Sequence, residues 1–101
     1  MYDKGDLSYL AGIIDGEGHA YRPNVLNGRG ERHLQARLLF VQSEKNNGKE
    51  LCEWVQSRFG GGITYTSHMY RWQVQGKKAT ELAYMLQPYL IVKREQIKRI
   101  L

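Results

Sequence analysis

Two acidic residues, Asp15 and Glu17, stand at the end of an apolar stripe where helix physics disfavours them. Leu7, Leu10, Ile13 and Ile14 recur at helical spacing and predict a helix from Leu7 to about Gly16. Asp6 is placed to cap its start, and Gly18 to close it in a left-handed conformation. Carboxylates near a helix C-terminus face the negative end of the macrodipole, at a cost of roughly 0.3–1 kcal/mol each. No Lys or Arg lies within a helical turn to offset it. Either both acids are solvated or bonded to backbone amides, or they serve a chemistry that needs negative charge there. Gly12 and Gly16 are a second anomaly, since a mid-helix glycine costs about 1 kcal/mol relative to Ala. Four apart, they share one face and let a second backbone approach closely. If two copies of the helix cross there, their acids converge into a dianionic pocket suited to a divalent cation.

The elements around this helix follow from periodicity. His19–Arg22 is a strand candidate broken by Pro23, and Asn27-Gly28-Arg29-Gly30 is a turn. Leu34, Ala36, Leu38 and Phe40 alternate with His33, Gln35 and Arg37, which predicts a strand buried on its aliphatic face. Asn47 and Glu50 have capping-box spacing ahead of Leu51, Trp54, Val55, Arg58 and Phe59, a helix ended by Gly60-Gly61-Gly62. Two strands, Ile63–Ser67 and Tyr70–Gln75, are joined around His68-Met69. Ala79, Leu82, Ala83 and Leu86 mark a third helix stopped by Pro88, and Val92 to Leu101 a fourth. The order αββαββα predicts an α+β fold: one antiparallel four-stranded sheet with helices on one face. Trp54 and Phe59 belong to the core, and Cys52 carries no chemistry.

With 101 residues and 11.7 kDa the chain forms one domain of marginal stability, residues 1–101. Fifteen Lys+Arg against ten Asp+Glu give a formal charge of +5, which points to a polyanionic partner. An apolar share of 42% excludes disorder. No run of about 18 apolar residues or targeting segment is present, so no membrane partner is expected; the expected partner is a polyanion and not a small-molecule substrate. The single Cys52 allows no internal disulfide and fits a reducing, intracellular compartment. His19, His33 and His68 are too scattered to suggest zinc.

Leu10-Ala11-Gly12-Ile13-Ile14-Asp15-Gly16-Glu17-Gly18 resembles the nine-residue LAGLIDADG motif of homing endonucleases, with Ile13, Gly16 and Glu17 as the three departures. Phe40-Val41-Gln42, Phe59-Gly60-Gly61-Gly62, Trp72-Gln73-Val74 and Leu86-Gln87-Pro88-Tyr89-Leu90-Ile91-Val92-Lys93 extend the resemblance over nearly the whole chain. It implies a site-specific endonuclease for double-stranded DNA. It also implies a homodimer through the motif helix, with Leu10, Ala11, Gly12, Ile13 and Gly16 at the interface. Glu17 takes the place of the metal-binding carboxylate, assisted by the Gly16 carbonyl, and Asp15 that of a structural acid. Lys93 matches a basic residue near the scissile phosphate, and Glu44 a polar position that orients solvent around a metal-bound water. Mg²⁺, or Mn²⁺ in its stead, suits such an oxygen-rich site.

On the sheet, the resemblance implies a saddle over the major groove. His33, Gln35, Arg37, Tyr65, Ser67, Arg71 and Gln73 are then the outward, base-reading set, with Tyr21 and Arg22 on the first strand. Arg29, Arg32, Lys77 and Lys78 are placed for phosphates. The alternative function is a non-cleaving DNA-binding regulator or an intron-RNA maturase of the same fold.

Overall fold

The structure, a computed structural model, describes residues 2–101. Helix α1 (Lys4–Glu17) starts one turn earlier than the apolar stripe predicts, because the Asp3 side chain accepts from the Asp6 amide at 3.0 Å and is the cap. Asp6 is thereby free to pair with Arg58 at 3.3 Å. After α1 come β1 (Gly18–Tyr21), β2 (Asn24–Leu26), β3 (Arg32–Leu34), β4 (Arg37–Ser43) and a 3₁₀ turn (Glu44–Asn46). Then follow α2 (Gly48–Phe59), β5 (Gly62–Thr66), β6 (Met69–Gln75), α3 (Lys77–Leu86), a second 3₁₀ turn (Gln87–Tyr89) and α4 (Arg94–Lys98).

β1, β4, β6 and β5 form, in that order, a four-stranded antiparallel sheet. Its register explains the layers. Ala20, Leu38 and Val74 lie in one cross-strand row, and Gly18, Phe40, Trp72 and Ile63 in the next. These rows pack with Leu10, Ile14, Val55, Phe59, Leu82 and Leu86 of the helices into one core. The α+β fold with helices on one sheet face is as the periodicities predict.

The strand alternation proposed for residues 33–40 does not run unbroken. The long first hairpin is interrupted on both sides, at Arg22-Pro23 and at Gln35-Ala36, and β2 and β3 form a separate two-stranded ribbon beyond the break. Proline cannot donate to the ladder, which favours a break at that point. The interruption removes Leu34 from the core: it is 61% exposed, whereas Ala36, Leu38 and Phe40 are buried.

Two local expectations fail, one at Gly18 and one at the Asn47 capping box. Gly18 is extended (φ −89°, ψ 164°), not left-handed, and is required for space, since a Cβ there would meet the Ile14 Cα at 2.6 Å. At the start of α2, Asn47 is left-handed (φ 59°) with no side-chain cap, so the capping box does not form. The reason is Gly48, whose Cβ position lies 2.4 Å from the Gln42 carbonyl oxygen: α2 begins jammed against the end of β4. Gly48→Ala is expected to destabilise the chain by about 2 kcal/mol through this overlap, measured as a shift of the urea midpoint at unchanged slope. A midpoint equal to the parent's would show that the junction can relax.

Candidate active site

The C-terminal end of α1 answers the charge anomaly through contacts remote in sequence. The Asp15 carboxylate accepts hydrogen bonds from three consecutive amides, Ile91 at 2.8 Å, Val92 at 3.0 Å and Lys93 at 2.9 Å. Partial burial raises its pKa, but the three amides and the positive charge of Lys93 outweigh that and hold the carboxyl below its ordinary value. The Lys93 ammonium donates to the carbonyls of Gly18 at 2.8 Å and Ile14 at 3.4 Å. It therefore supplies, from 75 residues away, the cation that the end of α1 lacks within its own turn. Asp15 is a structural acid that pins the 91–93 segment to α1.

Glu17 is the other half of the pair and is placed differently. Its side chain is exposed and lies in a groove of about 610 Å³ with Ser8, Gly12, Gly16 and Gln42. No hydrogen bond or ion pair among the described residues engages its carboxylate. Added Cβ atoms at Gly12 or Gly16 would meet nothing within 4 Å, so both glycines open onto solvent within this chain. Leu10 and Ala11, expected at a helix–helix interface, are wholly buried in the chain's own core. They face the sheet because they continue the Leu7–Ile14 stripe, and the exposed face of α1 is left to Gly12, Ile13 and Gly16.

One chain does not build a cation cage: no three of His, Cys, Asp and Glu come together among the described residues. What the end of α1 does offer is oxygen. Glu17 is a hard, exposed donor, and the last carbonyls of a helix have no intrahelical partners. This donor chemistry suits a hard divalent cation, which prefers oxygen ligands. Gln42, from the end of β4, reaches the same groove. The period-two pattern could have found it, since Gln42 continues the inward series Leu38, Phe40 beyond the apolar core.

Glu44 stands apart from this groove on the 3₁₀ turn. Its Oε2 accepts from the Tyr65 hydroxyl at 3.2 Å and lies 3.0 Å from His68 Nδ1. The structure thus joins Glu44 to the β5–β6 hairpin.

The outer face of the sheet gathers most of the proposed DNA contacts. In β4, β6 and β5 the rows Arg37–Gln75, Leu39–Gln73–Gly62 and Val41–Arg71–Thr64 point away from the helices, and Tyr21 pairs with Arg37 on the same side. Arg71 donates to Gln73 at 2.8 Å, Gln73 to Gln75 at 3.1 Å, and Arg37 to Gln35 at 3.4 Å. Arg37, Arg71, Gln73 and Gln75 border a concavity of about 680 Å³, where Arg37 Nε is buried with no partner among the described residues. Arg29, Arg32 and His33 extend the basic surface onto the exposed β2–β3 ribbon.

Three residues, Arg22, Tyr65 and Ser67, depart from the expected set, Ser67 because it lies in the β5–β6 turn and not on the outer face of β5. Arg22 donates to the Ile100 carbonyl at 2.6 Å and ties the end of β1 to the last residues of the chain. Tyr65 shares a row with Tyr70 and Gln42 and therefore lies on the helix side, one residue out of phase with Thr64. The β5–β6 turn is Ser67-His68, not His68-Met69, and both turn residues have positive φ, 52° and 66°.

No family model matches the chain, and no curated protein does. Solved structures do. The homing endonuclease I-CvuI in complex with its target superposes with a TM-score of 0.80 at 23% identity, over 95% of this chain and 65% of that one. The archaeal intron-encoded homing endonuclease I-Vdi141I complexed with DNA gives 0.71 at 19% identity, over 93% and 63%. The LAGLIDADG meganuclease I-AabMI bound to uncleaved DNA gives 0.71 at 15%, over 90% and 35%. The chain has the LAGLIDADG homing-endonuclease fold, and spans 65% of the length of I-CvuI.

Proposed function

We propose that two copies of this chain, packed through the exposed Gly12–Gly16 face of α1, hydrolyse both strands of a specific DNA duplex with the help of Mg²⁺. The observation that carries the reading is the division of labour between two neighbouring acids. Asp15 is consumed by three amides, whereas Glu17 stands exposed, with no bonding partner among the described residues, beside a bare glycine stripe. The unengaged Glu17 and the glycine stripe would be unexplained costs in a chain that worked alone.

In the dimer, the two Glu17 carboxylates and nearby main-chain carbonyls would hold the cation. When bound, Mg²⁺ supplies charge to the phosphate and lowers the pKa of coordinated water. The chain's own groups do the rest. Arg37, Arg71 and Gln73 engage base edges in the major groove, where Arg and Gln make bidentate contacts with guanine and adenine. Arg29, Arg32 and Lys78 meet phosphates and set the salt dependence of binding. Lys93 fixes the end of α1 against the 91–93 segment, and its ammonium sits on the carbonyls of Ile14 and Gly18. Ile91 and Val92, 82% and 71% exposed, continue the apolar surface next to Asp15 that a second copy would cover.

The test is selection of cleaved duplexes from a randomised library, with sedimentation of the free protein. The expected result is a dimer that cuts a narrow set of sequences in Mg²⁺ and none in EDTA. A monomer that cuts nothing would reject the reading. The second reading, a non-cleaving DNA-binding regulator or intron-RNA maturase, is favoured by one observation: two carbonyls already occupy the Lys93 ammonium. It predicts one tightly held duplex or RNA and no cutting in Mg²⁺ or Mn²⁺.

A further inference from the structure

We infer that the Tyr65 hydroxyl and the His68 ring are positioning groups for Glu44, and that Tyr65 does not read DNA. The inference deepens the nuclease reading above and rests on it for the role of Glu44.

The first support is register. Side chains along a strand alternate between faces, so a shift of one residue changes sides. Thr64 pairs with Arg71 on the outer face, and Tyr65 pairs with Tyr70, whose ring is 4.6 Å away on the helix side. Tyr65 is therefore directed to the side opposite the proposed DNA surface. The second is convergence on one atom. Tyr65 Oη and His68 Nδ1 both meet Glu44 Oε2, at 3.2 and 3.0 Å, and lie 3.3 Å from each other. The third is the main chain. The Glu44 amide donates to the His68 carbonyl at 2.9 Å, so the hairpin tip and the 3₁₀ turn are latched at backbone level as well.

The turn has the geometry of a tight hairpin whose two central residues are left-handed, a conformation that favours glycine or asparagine. Ser67 and His68 adopt it without being either. The latch gives a reason: a glycine at 68 would leave Glu44 with one side-chain partner. A glutamate at a turn has three rotatable bonds, and a carboxylate that orients water must be held in one of its conformers. Tyr65 and His68 hold Oε2, and no hydrogen bond among the described residues engages Oε1. Burial, the negative charge of Glu44 and its hydrogen bond together raise the Tyr65 pKa above its ordinary value of 10.0.

Two measurements on the full chain test this. In the first, without DNA, the ionisation of Tyr65 is followed by NMR of ring-labelled tyrosine and assigned by its loss in Tyr65→Phe. Glu44→Gln removes the neighbouring negative charge, so the Tyr65 titration should move down towards pH 10; an unmoved titration overturns the latch. In the second, Tyr65→Phe is compared with the parent on the selected duplex under single-turnover conditions. The saturated cutting rate should fall about 10-fold, the lower end for loss of a supporting hydrogen bond, with half-saturation within about twofold and base preference unchanged at every position. Relaxed preference at one position, or weaker binding with the rate kept, would make Tyr65 a reading residue and overturn the inference. If the parent cuts no duplex, the nuclease reading is what fails. The titration and the base preference of binding then still decide whether Tyr65 holds Glu44 or reads DNA.

Discussion

Glu17→Gln is expected to lower cleavage by about 10³-fold or more while leaving folding, dimerisation and DNA binding intact. The size follows from what the carboxylate is asked to supply. A metal-assisted hydrolysis draws several kcal/mol of charge stabilisation from its bound cation, and each 1.36 kcal/mol is about a factor of ten in rate. Glutamine keeps the shape and one carbonyl oxygen but loses the charge that holds the ion. The folded state loses nothing, because Glu17 is exposed and no bond among the described residues engages it. Removing a carboxylate from the negative end of α1 should even raise the melting temperature slightly. The measurement is single-turnover cleavage beside a thermal melt. A variant that cuts at the parent's rate would exclude Glu17 from the site, and one that fails to fold would refute the separation of its role from that of Asp15.

Asp15→Ala is expected to do the reverse: a loss of stability of about 3 kcal/mol, with loss of function as a consequence. Three amide hydrogen bonds to one carboxylate would each be worth about 1.5–3 kcal/mol if well shielded. Partial exposure calls for about 1 kcal/mol apiece. The variant also leaves Lys93 without its countercharge and frees the 91–93 segment, so α4 should loosen with it. The pH dependence has a definite sign. The folded pKa of Asp15 lies below the unfolded value near 3.8, so its stabilisation is complete above that value. It is lost as pH falls through the lower folded value. Denaturant midpoints of parent and variant should therefore differ at pH 7 and converge towards pH 2. A constant difference across that range would mean the carboxylate's ionisation contributes nothing.

The two variants separate acids two residues apart, which no property of the residues in isolation could do. From the sequence, Asp15 and Glu17 were alike: same sign, same helix end, same macrodipole. The motif resemblance implied that one is structural and the other binds metal, and the hydrogen bonds from Ile91, Val92 and Lys93 give the physical cause for Asp15. Those donors are 76 to 78 residues away along the chain, beyond the reach of any local pattern.

Local chemistry was legible wherever burial and periodicity coincide. The 3.6-residue stripes of α1, α2 and α3 and the period-two stretch Ala36–Phe40 made the core predictable, because a residue's side of a helix or strand follows from its phase alone. Phase was lost at Gln35-Ala36, so Leu34 left the core, and Tyr65 turned out one residue out of step with the outer face. The capping box at Asn47 failed because the chain enters α2 from a junction crowded by the Gln42 carbonyl.

By itself, then, the sequence determined the order of the helices and of the four strands of the main sheet, the α+β class, the basic surplus, and the end of α1 as the place where charge and glycine are anomalous. These depend on neighbours within a turn or a strand. Tertiary structure decided how the anomaly is resolved: Lys93 against the carbonyls of α1, Asp15 against three amides, Tyr65 and His68 against Glu44, and Leu10 and Ala11 turned inward. Each of those contacts pairs groups more than twenty residues apart or depends on which face of an element the sheet covers. Only the folded register fixes either.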